Sequence, residues 1–271
     1  MTLRLDLLGT LFEIETEEAD VAALLARLWE PFVTGSAAPP DQTYTIGRDE
    51  GGLGVETPGT TPLIHHPDPW GLTDALRYQM LELVEARLRG FVTLHAGAVA
   101  REGRLLLLAG ASGAGKTTLT LGLLRAGWTY FTDDLAPIDV TTAEIAPFPK
   151  PLGVKDPAAF DGLAGAFDGI DLPRPAKAFL VPPDAFPVGT GPLAARCLVF
   201  PTFRAGAAVG VTALTAAKAT ALATAYVRRL EPEVVALLNR VCTGCDCYEV
   251  VYGSTEAGVA AATGVALGRT T

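Results

Sequence analysis

The chain changes hydrophobic rhythm several times. Its first stretch, "LRLDLLGTLFEIET", is dense enough in apolar residues for strands. "ADVAALLARLWEPF" then shifts to helical spacing, with Val21, Leu24, Leu25 and Leu28 on one face and Pro31 as the stop. Two turn-rich sections, "TGSAAPPDQ" and "DEGGLGVETPGTTP", bracket the short strand candidate "TYTIG". "TDALRYQMLELVEARLRG" is amphipathic. Thr73 is its expected N-cap, Leu76, Met80, Leu83 and Val84 its apolar stripe, and Gly90 its stop.

From Phe91 the rhythm becomes an alternation of strands and helices. "FVTLHAGAVA" and "GRLLLLAG" read as two strands joined by "REG". "GKTTLTLGLLRAG" reads as a helix ending at Gly127, and "WTYFTDD" as the next strand. "AFLVP", "RCLVFP" and "CYEVVYG" are later strands. "TAAKATALATAYVRRL" and "PEVVALLNRV" are helices, the second opening on Pro232, where a first-turn proline is tolerated. No internal repeat or flexible linker interrupts the series. The division expected is a smaller α+β region over residues 1–90, suited to docking a substrate or partner, and an α/β domain over residues 91–271.

Composition narrows the classes. With 271 residues, 49% hydrophobic and 19% charged, the chain can bury a substantial core. A net charge of −9 argues against a nucleic-acid partner. No apolar run approaches the ~20 residues that span a bilayer, and the N-terminus meets acidic residues before any signal-like core develops. Ala205–Ala217 and Ala257–Gly268 are apolar but too short. The expectation is a soluble, cytoplasmic protein with no membrane partner. Of the four cysteines, Cys242, Cys245 and Cys247 cluster in "CTGCDC" and Cys197 stands apart. Reduced thiols are the plainer reading, a metal or redox role the alternative. His65 and His66 are adjacent in a loop, where neighbouring side chains diverge.

Candidate chemistry begins at "GASGAGKT", Gly110 to Thr117, which fits the pattern G-x-x-x-x-G-K-[ST]. A buried-type strand, Leu105 to Leu108, precedes it and a helix follows. Backbone N–H groups wrap a phosphate chain only if the loop comes close and turns sharply. Gly110, Gly113 and Gly115 permit this, with Ala111, Ser112 and Ala114 as the remaining loop positions. Lys116 would reach the terminal phosphates and the Thr117 hydroxyl would ligate Mg²⁺, with Thr118 next in the helix. Asp133 and Asp134 end the following strand, at the edge where ligands of open α/β sheets bind. One carboxylate can hold the metal and the other accept a proton. A solvated turn is the bland alternative. His95, in an apolar strand, reads either as a core residue or as a partner of the phosphate site.

"LHAGAVA", "GASGAGKTT" and "RAGWTYFTDDLAPID" together resemble the kinase domain of HPr kinase/phosphorylase and its relatives. The resemblance is closest to HPr-kinase-related kinases encoded in lasso-peptide or PqqD-associated peptide-modification clusters. It continues through "PFPKPLGVKD" and "CLVFPTFRAG", about residues 91 to 252. It implies a P-loop kinase core of HPr-kinase type, a mixed sheet with flanking helices, preceded by the smaller α+β region. It further implies ATP as phosphoryl donor, Mg²⁺, a serine-type hydroxyl of a peptide or protein as acceptor, and a homo-oligomer. Residue by residue, it gives Gly110 to Thr118 to the nucleotide and Lys116, His95, Asp133 and Asp134 to catalysis. It leaves the division between the two aspartates open, and the division preferred here makes Asp133 the base, oriented by His95, with Thr117 and Asp134 at the metal. Lys155, in "GVKD", is a weaker substrate contact. The bifunctional enzymes carry an acidic residue where this chain has Thr118, which argues against phosphorylase activity. Two rival readings remain: a small-molecule kinase acting on free serine or a similar compound, with Arg174, Arg204, Arg228 and Arg229 as lid candidates, and a non-catalytic nucleotide-dependent binding module.

Overall fold

A computed structural model describes residues 1–58 and 64–269. The first elements are β1 (Thr2–Leu7), β2 (Thr10–Thr16), α1 (Ala19–Leu28), β3 (Gln42–Asp49), β4 (Gly52–Glu56), β5 (Ile64–His66) and α2 (Pro69–Arg87). There follow β6 (Phe91–Leu94), β7 (Ala96–Arg101), β8 (Arg104–Ala109), α3 (Lys116–Arg125), β9 (Thr129–Thr132) and β10 (Ala136–Asp139). Then come β11 (Leu152–Val154), β12 (Phe179–Val181), β13 (Ala195–Phe203), β14 (Gly210–Leu214), α4 (Ala216–Ala223), α5 (Pro232–Thr243), β15 (Asp246–Tyr252) and α6 (Thr255–Ala266). This is a mixed α/β chain with several sheets and helices. Among the described residues no helix is long and apolar enough to cross a membrane.

The chain divides into two compact units: Met1–Arg89 with Lys150–Ala185, and Gly90–Pro149 with Phe186–Thr271. The first therefore takes in a segment that the division at residue 90 assigns to the second. Its five-stranded sheet runs β1-β2-β3-β4-β5, with β2 and β3 parallel and the other pairs antiparallel. Alternating burial along β1 sends Leu3, Leu5 and Leu7 inward. The α1 stripe of Val21, Leu24, Leu25 and Leu28 is buried as its spacing predicts. α2 starts earlier than expected. Asp68 caps it, accepting from Gly71 N at 3.0 Å, with Pro69 in the first turn. Thr73 is therefore not the cap. It is a buried interior residue whose hydroxyl donates to Pro69 O. Leu83 is only half-buried, and Leu72 and Leu81 complete the buried face instead.

Aromatic packing explains why Lys150–Ala185 joins this unit. Trp70 on α2 meets Phe160, Phe167 and Phe179 edge to face, with ring centroids 5.8, 5.1 and 6.2 Å away. Its indole N–H donates to Pro173 O at 2.7 Å.

The second unit is built on a six-stranded sheet in the order β14-β15-β13-β8-β7-β9. β13 is parallel to β8 and β15, while β7 is antiparallel to β8 and β9. Both faces are covered, which is why β8 reads as an unbroken leucine run. Leu105 and Leu107 belong to a core with Ala219 and Ala223 of α4 and Leu237, Leu238 and Val241 of α5. α3 and α6 pack together, against β7, β8, β13 and β15. "FVTLHAGAVA" is not one strand. It breaks at His95 into β6, which pairs with β10, and β7.

Candidate functional site

Strand direction gathers the candidate residues. β8, β9, β13 and β15 run the same way, so the Gly110–Gly115 loop, Asp133, Phe203 and Tyr252 stand at one edge of the sheet. β7 runs oppositely, so its preceding residue, His95, reaches the same edge. The chain leaves β8 for β9 on one side and finds β13 on the other, the arrangement that opens a ligand crevice in α/β sheets.

The loop takes the conformation its glycines allow. Gly113 and Gly115 have φ of 84° and 92°. A Cβ on Gly115 would also collide with the Tyr252 hydroxyl, which donates to Gly115 O at 3.4 Å. Burial pushes the Tyr252 phenol up to about 12, so it stays a donor at neutral pH. Gly115→Ala combines this collision with a left-handed backbone that costs about 1–2 kcal/mol. Titration with ATP should show it binding at least about tenfold more weakly than wild type. Adding Tyr252→Phe, which removes the colliding oxygen, should recover part of the loss.

Lys116 heads α3 and is 5% exposed. Its Nζ donates to Gly110 O at 2.7 Å and Ala111 O at 3.1 Å and lies 3.0 Å from His95 Nε2. An ammonium only donates, so Nε2 accepts and the ring proton sits on Nδ1. Nδ1 faces Asp134, 3.0 Å from its backbone O and 3.1 Å from Oδ1. The break between β6 and β7 sets this ring position. There His95 N donates to Tyr226 O at 2.7 Å, and Leu94 bridges to Val227.

The two aspartates diverge. Asp133 is 3% exposed and its Oδ2 accepts from Thr117 Oγ1 at 2.9 Å. Asp134 has φ of 70° and turns the other way, to His95. Aspartate is one of the few residues that take this backbone readily, and Thr132 Oγ1, donating to Leu135 O at 2.8 Å, closes the turn. The expectation set Asp134 beside Thr117 and His95 behind Asp133. The geometry is the reverse, because the left-handed residue swings the second carboxylate away from α3. Thr117 and Asp133 supply two adjacent oxygens at the loop mouth, a donor set that suits Mg²⁺, which usually takes one or two protein oxygens beside phosphates and water.

Ala111, Ser112 and Thr118 are exposed, and Gly113 and Ala114 complete the loop. Lys155 is an exposed residue of the first unit. Two contributors escape the sequence reading. Tyr252 is one. Gly97 is the other: a Cβ there would strike the buried Thr120 hydroxyl of α3 and stand 3.4 Å from Asp133 Oδ1. The "HAG" spelling is the only local trace of that close approach.

The cysteines lie on α5, the turn after it and the sheet. Among the described residues no group of three His, Cys, Asp or Glu side chains is placed to hold a metal ion. Cys245 and Cys247 have sulfurs 3.8 Å apart. Burial pushes the Cys197 thiol up to about 12, and a hydrogen bond with Cys247, followed by burial, raises that of Cys242. Both are protonated at neutral pH and unreactive. Iodoacetamide should label the half-buried Cys245 first in the folded protein and all four after denaturation. Mass mapping of the labelled peptides reads the order, and early labelling of Cys197 would contradict it.

No family model matches this sequence, and no curated protein matches it. Among solved structures, an HPr(Ser) kinase/phosphatase from Coxiella burnetii is similar over 65% of this chain and 95% of its own, at 13% identity and a TM-score of 0.33.

Proposed function

We propose that the protein is an ATP-dependent, Mg²⁺-assisted phosphotransferase acting on a hydroxyl, with a serine of a peptide or protein as acceptor. The observation that carries this is the linked set Lys116–His95–Asp134 beside Thr117–Asp133, at the mouth of a glycine-rich loop and the start of α3. A module that only bound nucleotide would need the loop and lysine. It would not need a second carboxylate, held by a histidine in a left-handed backbone, away from the metal oxygens.

The residues divide the work. The loop N–H groups and the α3 N-terminus bind the phosphates, and Lys116 neutralises charge at their terminal end. Thr117 and Asp133 would hold Mg²⁺, which when bound screens phosphate charge and aligns the donor. Asp134 accepts the acceptor hydroxyl's proton as that oxygen bonds to the γ-phosphorus, and the bond from phosphorus to the β,γ-bridging oxygen breaks to release ADP. His95, neutral and donating from Nδ1, fixes Asp134 for that task. The division favoured is thus Asp134 as base and Asp133 at the metal.

The test is incubation with γ-labelled ATP and Mg²⁺ against serine peptides, free serine and a no-acceptor control, read by mass for one added phosphate. Labelled peptide supports the reading, labelled free serine alone favours the small-molecule kinase, and bound but unconsumed ATP in every arm favours the binding module.

A further inference from the structure

The reaction needs the terminal phosphate, but a nucleotide also carries a base, and the sheet fixes the side on which that base leaves the loop. Asp133, Asp134 and His95 all lie on the β7 and β9 side of β8, so the reacting end of a triphosphate faces that way. The other end must leave the loop on the opposite side, where β13 and β15 end. There the backbone is locked. Phe203 N donates to Ala114 O at 3.3 Å, Arg204 N donates to Tyr252 O at 2.9 Å, and Ala207 N donates to Arg204 O at 2.9 Å.

Phe203 is the last residue of β13 and the aromatic side chain that stands beside the loop without being buried. It is 47% exposed, whereas Tyr252 beside it is 1% exposed. The two rings are 5.7 Å apart and tilted by 58°, so Tyr252 supports the Phe203 ring from one side. The Phe203 Cβ lies 3.3 Å from where a Cβ on Gly115 would stand, which roots the side chain beside the loop. An aromatic face left half in water, braced by a buried phenol and joined to the phosphate loop by a backbone hydrogen bond, lacks only a second ring.

We propose that Phe203 is the stacking platform for the base of the nucleotide whose phosphates occupy the Gly110–Thr117 loop. This rests on the nucleotide reading above and adds the base subsite to it. Stacking recognises a π-face rather than a hydrogen-bonding pattern, so the subsite takes an aromatic base as a class.

The test compares ATP with inorganic tripolyphosphate, which has the charge without the base, by calorimetry in Mg²⁺ on the full chain. Wild type should bind ATP about tenfold more tightly than tripolyphosphate. Phe203→Leu keeps apolar bulk against Tyr252 but has no π-face. It should lose about tenfold for ATP and nothing for tripolyphosphate. Phe203→Trp should keep ATP affinity, and its fluorescence should respond to ATP but not to tripolyphosphate. Equal ATP binding by the leucine variant and wild type overturns the platform while leaving the phosphate loop intact, as does equal loss for both ligands. Wild type that binds neither ligand overturns the nucleotide reading and the platform with it, an outcome distinct from the other two.

Discussion

Asp134→Asn protein should keep its fold and its ATP affinity and lose phosphoryl transfer by about three orders of magnitude, within the range a positioned general base contributes. Asparagine suits the experiment because it too tolerates the left-handed backbone that Asp134 adopts at φ 70°. It also leaves an oxygen for the His95 ring proton, so the loss isolates proton acceptance. Asp133→Asn should behave differently. Its partner is the Thr117 hydroxyl at the loop mouth, so the Mg²⁺ concentration giving half-maximal turnover should rise at least about tenfold. Excess Mg²⁺ should restore much of the rate. Steady-state turnover across a Mg²⁺ titration separates the two. Rescue of the Asp134 variant by metal, with none for the Asp133 variant, would reverse the proposed roles and return the division preferred from the sequence.

The side-chain placement, Asp133 on Thr117 and Asp134 on His95, shows where the sequence stops speaking. The loop could be read because its signals are local: a leucine strand, glycines at fixed spacing, a lysine and a hydroxyl, then helical periodicity. The adjacency of Asp133 and Asp134 could be read too. Which carboxylate faces α3 depends on one backbone angle, and that angle on a turn closed by Thr132 and Leu135. His95 depends on more distant chain still. Its ring reaches Lys116 because β6 leaves the sheet of β7 and because Tyr226, over a hundred residues later, accepts from its backbone N–H. The fold shows the same limit. α1 and α3 announced themselves by pattern or motif. α6 did not, since its buried positions are Gly258, Ala262, Val265 and Ala266, a face of small residues with little contrast to the rest. β14 did not either, being an edge strand with no fully buried residue and so no alternation to read.

Trp70→Ala should cost about 4 kcal/mol of stability in the first unit, the expected scale for emptying a buried aromatic site. The indole is 2% exposed and touches Phe160, Phe167 and Phe179, all contributed by the Lys150–Ala185 segment. These three also pack on one another, Phe160 stacking on Phe167 at 5.6 Å and meeting Phe179 edge to face at 5.2 Å. Leu152, Val154, Leu163, Leu180 and Val181 of the segment are buried as well, but the aromatic cluster is its largest block of rings. Its regular structure is one short antiparallel pair, β11 with β12, and brief 3₁₀ turns, too little to hold an independent core. Trp70→Phe keeps a ring in the cluster but loses the N–H bond to Pro173 and part of the buried ring volume, so it should cost about 2 kcal/mol. Hydrogen exchange reads both variants by region. In the alanine variant, amides of α2 and of residues 160–181 should lose protection together, while those of β7 and β8 hold theirs. If residues 160–181 stayed protected while α2 opened, the segment would belong to the second unit, as the division at residue 90 has it.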